Sequence, residues 1–257
     1  MLQSLLESPM EYLTQLVLRL PAVLIAICMH ESAHGWVANR CGDPTARLMG
    51  RITLNPVKHF DPVGMLCLVF FGVGWAKPVP INPLHFRNYR KDDLKVSLAG
   101  VTMNLILALV FLIPTYAVFT RAFVSFREMY LYYYYLPDGA RACYEVAMLN
   151  PSVIVETWGA IPGYLYEMLA NVVVVNLSLA IFNLIPLPPL DGYHVLNDLA
   201  LKRPLFATQR AAMAGQGILI LLMVTDILPW FLGWALSGVL SGVGHVAYAI
   251  VAALGVL

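Results

Sequence analysis

Charge is scarce in this sequence: Asp, Glu, Lys and Arg make up 12% of the 257 residues, about half the share in an ordinary soluble domain. The 16 basic and 15 acidic side chains leave a net charge of only +1, which argues against nucleic acid as a partner. Close cysteine pairs are lacking too. Cys28, Cys41, Cys67 and Cys143 stand far apart and Cys28 lies within an apolar run, so neither a disulfide framework nor a thiolate zinc site is expected. No basic stretch precedes the first apolar run and no small-residue cleavage site follows it, so a removable signal peptide is not expected either. There is no internal repeat, and the one low-complexity tract, Tyr132–Tyr135, suits an interfacial aromatic belt.

Apolar residues supply 60% of the chain. Runs approaching the roughly 20 residues that cross a hydrocarbon core recur near 12–38, 94–120, 164–190, 211–235 and 236–257. The pattern predicts an all-α polytopic membrane protein with about five transmembrane helices. Pro62 to Ala76 is apolar but short and broken by Gly64, Gly72 and Gly74, as a re-entrant or interfacial segment would be. Gly50–Asn55 alternates like a strand and Gly74–Asn82 reads as a second extended piece, which predicts a short β-hairpin between the first and second helices.

Residues 40–95 hold nine of the sixteen Lys and Arg. This excess predicts a cytoplasmic location for that segment, an outside N-terminus and an outside 121–160 loop.

His30-Glu31-Ser32-Ala33-His34 carries chemistry at helical spacing. Residues i and i+4 project from nearly one face of an α-helix, so both imidazoles can meet one zinc ion. Glu31 lies on the neighbouring flank, where it can act as the base towards a water acidified by the metal. Three ionisable groups in five residues, directly after the apolar run Leu20–Met29, are costly in a membrane helix and point to function. A catalytic zinc keeps about three protein ligands, and Asp191 is the best remaining candidate. It closes the run Asn183-Leu184-Ile185-Pro186-Leu187-Pro188-Pro189-Leu190-Asp191-Gly192, whose three prolines cannot continue a helix and predict unwound, extended backbone at membrane depth. Both sets fall late in helices predicted to run from outside to inside, so the site is expected towards the cytoplasmic side. The alternative for Asp191 is a loop residue before a turn glycine.

Together these residues resemble the site-2 protease family of intramembrane zinc peptidases, which pairs His-Glu-x-x-His with a downstream Asn-x-x-Pro…Leu-Asp-Gly run. His30, Glu31 and His34 fill the first motif, and Asn183, Pro186, Leu190, Asp191 and Gly192 the second; Asn55-Pro56, His59 and Asp61-Pro62 also look like that family. The resemblance implies one membrane-embedded metalloprotease domain over 1–257, in a minimal form without a PDZ domain. It further implies a multi-pass protein of a bacterial inner or plasma membrane, acting with Zn2+ on membrane-protein substrates that carry a transmembrane helix in the lipid bilayer. Where the family often has Ala-Gly-Pro-x-x-Asn, this chain reads Ala99-Gly100-Val101-Thr102-Met103-Asn104. The proline is absent, and Gly100 keeps the close approach.

Asn183 has two open readings: a donor to the substrate carbonyl or oxyanion, which the resemblance favours, and a cap where the helix unwinds. Asn104 reads as interhelical glue. His59, His85 and His194 read as exposed histidines, His194 with a secondary chance of supporting Asp191. A metal-binding transporter or channel without peptidase activity is the alternative function; it would not require a glutamate between two paired histidines.

Overall fold

The computed structural model describes residues 7–71, 74–125, 160–201, 205–206 and 208–253. The tyrosine run Tyr132–Tyr135 and Cys143 lie outside the described residues.

The first helix, α1 (Pro9–Cys41), opens with Pro9 in its first turn, where a missing N–H costs nothing. It stops at Gly42, whose φ of 113° is left-handed. There the amides of Gly42 and Asp43 return to the carbonyls of Asn39 and Ala38, the double bond that closes a helix on a glycine. After a short α2 (Thr45–Leu48) come α3 (Pro62–Phe71), α4 (Tyr89–Ser125), α5 (Ala160–Asn183), α6 (Asp191–Leu199), α7 (Gln209–Val224) and α8 (Ile227–Ala253).

Among the described residues, three helical stretches are long and apolar enough to cross a membrane: Pro9–Cys41, Tyr89–Thr115 and Gly163–Asn183. The expected count of about five is not reached among the described residues, which give three, or four if α7 and the first part of α8, bent by 75° at their junction, form one broken span. The two apolar runs predicted to divide near residue 235 divide at 225–226 instead. Thr225 turns its hydroxyl back to the Leu221 carbonyl, Asp226 takes a positive φ of 59°, and Pro229 stands in the first turn of α8, where it needs no donor. Hydropathy alone does not register such a bend.

The core is α1, α4 and α5 packed against one another, with α6 on α4 and α8 against α4 and α5. Small buried residues face the contacts, among them Ala22, Ala26, Ala33, Ala108, Ala170 and Ala180, and they let membrane helices approach closely.

The predicted β-hairpin is not formed among the described residues. Residues 74–82 run without regular structure beside 50–55, but the Arg51 guanidinium donates to the carbonyls of Lys77 and Pro78 (2.8 and 3.2 Å) where a strand ladder would have placed backbone amides. Pro78 and Pro80 have no N–H to give a ladder. The ten-residue α3 is too short to span a bilayer. The run 184–190 is a succession of turns rather than an extended strand: Ile185 bonds Phe182, Leu187 bonds Ile185 and Leu190 bonds Leu187.

Asp43 ties this end of the bundle together. Fully buried, it accepts from the Thr45 amide and hydroxyl, the Asn82 amide (2.7 Å) and His85 Nδ1 (3.1 Å). Burial alone would raise its pKa, but the hydrogen bonds from Thr45, Asn82 and His85 hold it below the ordinary carboxylate value. A depressed folded pKa stabilises the fold above the unfolded value, and that contribution is lost as pH falls through the folded one. Thermal unfolding of the purified protein should therefore fall off below about pH 4, where unfolded aspartates begin to bind protons. Asp43→Asn should flatten that dependence and cost about 1.5–3 kcal/mol at pH 7. An unchanged pH profile in the variant would remove Asp43 from this role.

Candidate active site

Helix α1 places His30 and His34 on successive turns, with ring centroids 4.6 Å apart and planes at 79°. Their Nε2 atoms lie 2.9 Å from each other, and Asp191 Oδ2 lies 3.3 and 3.4 Å from the two. Of the His, Cys, Asp and Glu side chains among the described residues, these three form the group able to share a metal ion. Four donors at about 2.0–2.1 Å around a tetrahedral zinc stand roughly 3.3 Å from one another, close to the spacing to Asp191.

Hydrogen bonding on the far side of each ring shows what these atoms need. His30 Nδ1 meets the Asn104 carboxamide oxygen at 2.6 Å, and His34 Nδ1 meets the Val96 carbonyl at 2.7 Å. The Asn104 amide nitrogen donates to the Ala26 carbonyl and the Asn176 carboxamide oxygen, which fixes its oxygen towards His30. Both partners can only accept, so each Nδ1 carries the proton and each Nε2 presents a lone pair. Two lone pairs and a carboxylate oxygen that closes no hydrogen bond thus converge in a largely buried site. Such a donor set is repulsive until a cation sits among it, and two imidazoles with one carboxylate suit Zn2+.

Neighbouring helices are shaped to bring the donors together. A Cβ on Gly100 of α4 would lie 2.4 Å from His34 Nε2 and 2.6 Å from His30 Nε2, so only glycine lets α4 pass behind the pair. A Cβ on Gly192 would lie 2.3 Å from the Leu184 carbonyl oxygen, and its absence allows α6 to fold back so that Asp191, in the first turn, faces α1. The far end of α6 is clamped: Arg90 donates from Nε to the Asp198 carbonyl (2.7 Å) and from Nη2 to the carbonyls of Asn197 and Leu201 (3.2 and 2.8 Å). A cation belongs at a helix C-terminus. His194, half exposed, bonds Asp93 at 3.1 Å, and this carboxylate raises its pKa. Burial, then the charge of Asp93, pushes Asp198 up to about 6.

Glu31 stands outside the triad, its Oε2 accepting the Val79 amide at 2.8 Å. Asn183 donates from Nδ2 to the Leu179 carbonyl at 3.0 Å, the helix-end bond that one of its two readings anticipates, and it is not part of the metal-competent group. Residue reasoning missed the support that Asn104 and Asn176 give to His30. Their signal was two amides inside apolar runs, with Asn104 one helical turn from Gly100. His59 is corrected from exposed to buried, with 2% of its surface accessible. His85 is half exposed and bonded to Asp43.

A His-Glu-x-x-His helix and a distant aspartate converging inside an apolar helical bundle define a multi-pass membrane metalloenzyme with the donor set of a zinc peptidase. The chain belongs to peptidase family M50, the family of the site-2 proteases, whose pattern matches residues 19–224. It is 33% identical over 219 residues to YwhC of Bacillus subtilis (strain 168), covering 85% of this chain and 84% of that protein, whose name proposes a zinc metalloprotease. Rip2 of Mycobacterium tuberculosis (strain H37Rv), named in the same way, is 29% identical over 92% of this chain and 79% of its own length. Rip2 of Mycolicibacterium smegmatis is 25% identical over 87% and 73%. No solved structure matches the chain. The protein is thus a zinc metalloendopeptidase of this family.

Proposed function

We propose that the protein hydrolyses peptide bonds in or near the transmembrane segments of other membrane proteins, as in regulated intramembrane proteolysis. The observation that carries this reading is the convergence of His30, His34 and Asp191 beside Glu31, on helices apolar enough to lie within a bilayer. His30, His34 and Asp191 would hold the zinc ion, which would supply Lewis acidity to the attacking water and to the scissile carbonyl. Glu31 takes the proton from that water and returns it to the leaving amine. The Val79 amide occupies Oε2, which leaves Oε1 for the proton. Asn183 keeps one amide hydrogen beyond its bond to Leu179, and we assign that hydrogen to the developing oxyanion.

A substrate helix hides its carbonyls in its own ladder and must unwind before it is cut. The extended run 74–80, ending beside Glu31, is the surface along which the unwound strand lies, and the short sheet expected from the sequence would be completed by the substrate itself.

The N-terminus lies outside, residues 40–95 lie in the cytoplasm and the metal site faces that side, in a bacterial inner membrane. The test is the purified protein in lipid vesicles with a membrane-spanning substrate. Cleavage should stop with a zinc chelator and return with added zinc. Single-cysteine labelling at position 90, on a cysteine-free background, should succeed from the cytoplasmic face alone. Cleavage indifferent to chelation would end the zinc reading, and labelling from the outer face alone would invert the topology.

A further inference from the structure

On the N-terminal side of the metal triad along α1 lies a cavity of about 360 Å3, within the range of about 300–1,000 Å3 typical of small-ligand pockets. Its walls come from α1, the 56–61 turn, α3, residues 74–76, α5 and the α7–α8 bend, and they are almost wholly apolar. On α1 the wall is built by Val23 together with Leu24, Ile27 and Cys28. Glu31 follows the last three at the i, i+3, i+4, i+7 spacing of a single helix face. The catalytic base is therefore the next residue along the cavity's own face, about one turn further. Ala76 lines the same cavity, and three residues later Val79 holds Glu31, so this segment also leads from the cavity to the base.

One buried polar group in this wall is unpartnered. His59, with 2% of its surface accessible, has Nε2 2.9 Å from the Thr53 carbonyl. A carbonyl only accepts, so Nε2 carries the proton and Nδ1 is an acceptor. That Nδ1 is buried and closes no hydrogen bond among the described residues. A buried acceptor is costly until a donor reaches it. The occupant that suits the cavity therefore brings a large apolar group and an N–H together. A lipid acyl chain offers the first without the second, whereas a residue of an unwound peptide offers both.

We propose that this cavity is a specificity subsite, taking a large apolar side chain next to the scissile bond while His59 Nδ1 accepts a backbone N–H of the same strand. The inference rests on the peptidase reading above. It makes His59 a substrate-binding residue and predicts that the enzyme selects for bulk beside the cut.

The test uses the full-length zinc-loaded protein in vesicles and substrates that differ at one flanking residue, read as ratios of kcat/KM, which do not depend on the fraction of enzyme folded. The wild type should favour Phe or Leu over Ala by about tenfold or more, the discrimination apolar pockets achieve. Ser178 of α5 lines the cavity, and Ser178→Phe, which fills it, should bring the Phe/Ala ratio to about one. Val175→Ala on the same wall should raise the ratio for Trp. A substrate with a backbone ester replacing the amide N–H should be cut about tenfold more slowly by the wild type, while His59→Phe should cut ester and amide forms alike. A wild type that cuts Ala and Phe substrates equally, or a Ser178→Phe variant that loses activity in the same proportion on both, overturns the subsite and leaves the peptidase intact. If Ser178→Phe changes only the dependence on the acyl-chain length of the vesicles, the cavity holds lipid and the proposal falls. Failure of the loaded wild type to cut any membrane-spanning substrate would instead overturn the peptidase reading, and the subsite with it.

Discussion

Glu31→Gln should bind zinc with unchanged stoichiometry and lose about 10²–10⁴-fold in turnover, the range that a positioned general base contributes. The separation of the two effects follows from where the side chain sits. One residue along α1 turns Glu31 about 100° away from His30, and its carboxylate is engaged by the Val79 amide rather than by the imidazoles. A glutamine oxygen accepts the same hydrogen bond, so the extended run 74–80 keeps its anchor. What disappears is the basicity. Neither His30 Nδ1 nor His34 Nδ1 can substitute, because each already carries a proton and donates it in a hydrogen bond, to the Asn104 oxygen and the Val96 carbonyl respectively. Metal analysis of the purified variant beside cleavage of a membrane-spanning substrate measures both quantities. Turnover near the wild-type rate with zinc in place would assign the base elsewhere.

The parts of the site that were legible in the sequence are those whose geometry is local. His30 and His34 are fixed by the pitch of one helix, and Asp191 stood out because three prolines forbid the helix that hydropathy would otherwise extend. Their supports are tertiary and carry weaker signatures. The Val96 carbonyl that orients His34 is backbone and leaves no trace in residue type. Asn104 was visible as a polar residue in an apolar helix, yet only the packing of α4 on α1 shows that it serves His30 as well as the Ala26 carbonyl. His59 looked exposed because it sits in a turn-rich stretch, yet it is buried, with Nε2 bonded to the Thr53 carbonyl. The break between the last two apolar runs was misplaced, near 235 instead of at Thr225–Asp226, for a related reason. Mean hydropathy averages across a bend, and the backbone that makes the bend is set by one positive φ and a nearby proline. The hairpin did not form because Pro78 and Pro80, visible in the sequence, give no ladder N–H, and because an arginine side chain takes the bonding positions, which strand alternation in 50–55 cannot reveal.

Asp191→Ala should weaken zinc binding by at least about 100-fold, since loss of even an outer partner of a ligand costs 10–100-fold, and should abolish cleavage. The variant also distinguishes a metal ligand from a residue that merely shapes α6. The helix keeps its other anchors, the Arg90 clamp on the carbonyls of 197, 198 and 201 and the contact of His194 with Asp93, so the metal-free protein should fold. Its unfolding temperature without metal should match or exceed that of the metal-free wild type, because the substitution removes a carboxylate oxygen that faces two imidazole lone pairs without a hydrogen bond. Zinc stabilises the native state in proportion to the logarithm of its concentration over Kd, so the rise in unfolding temperature on adding zinc should be large in the wild type and small in the variant. A structural aspartate would give the reverse, a lower temperature without metal and an unchanged zinc-induced rise. That outcome would leave His30 and His34 one protein ligand short and move the search for the third to another side chain.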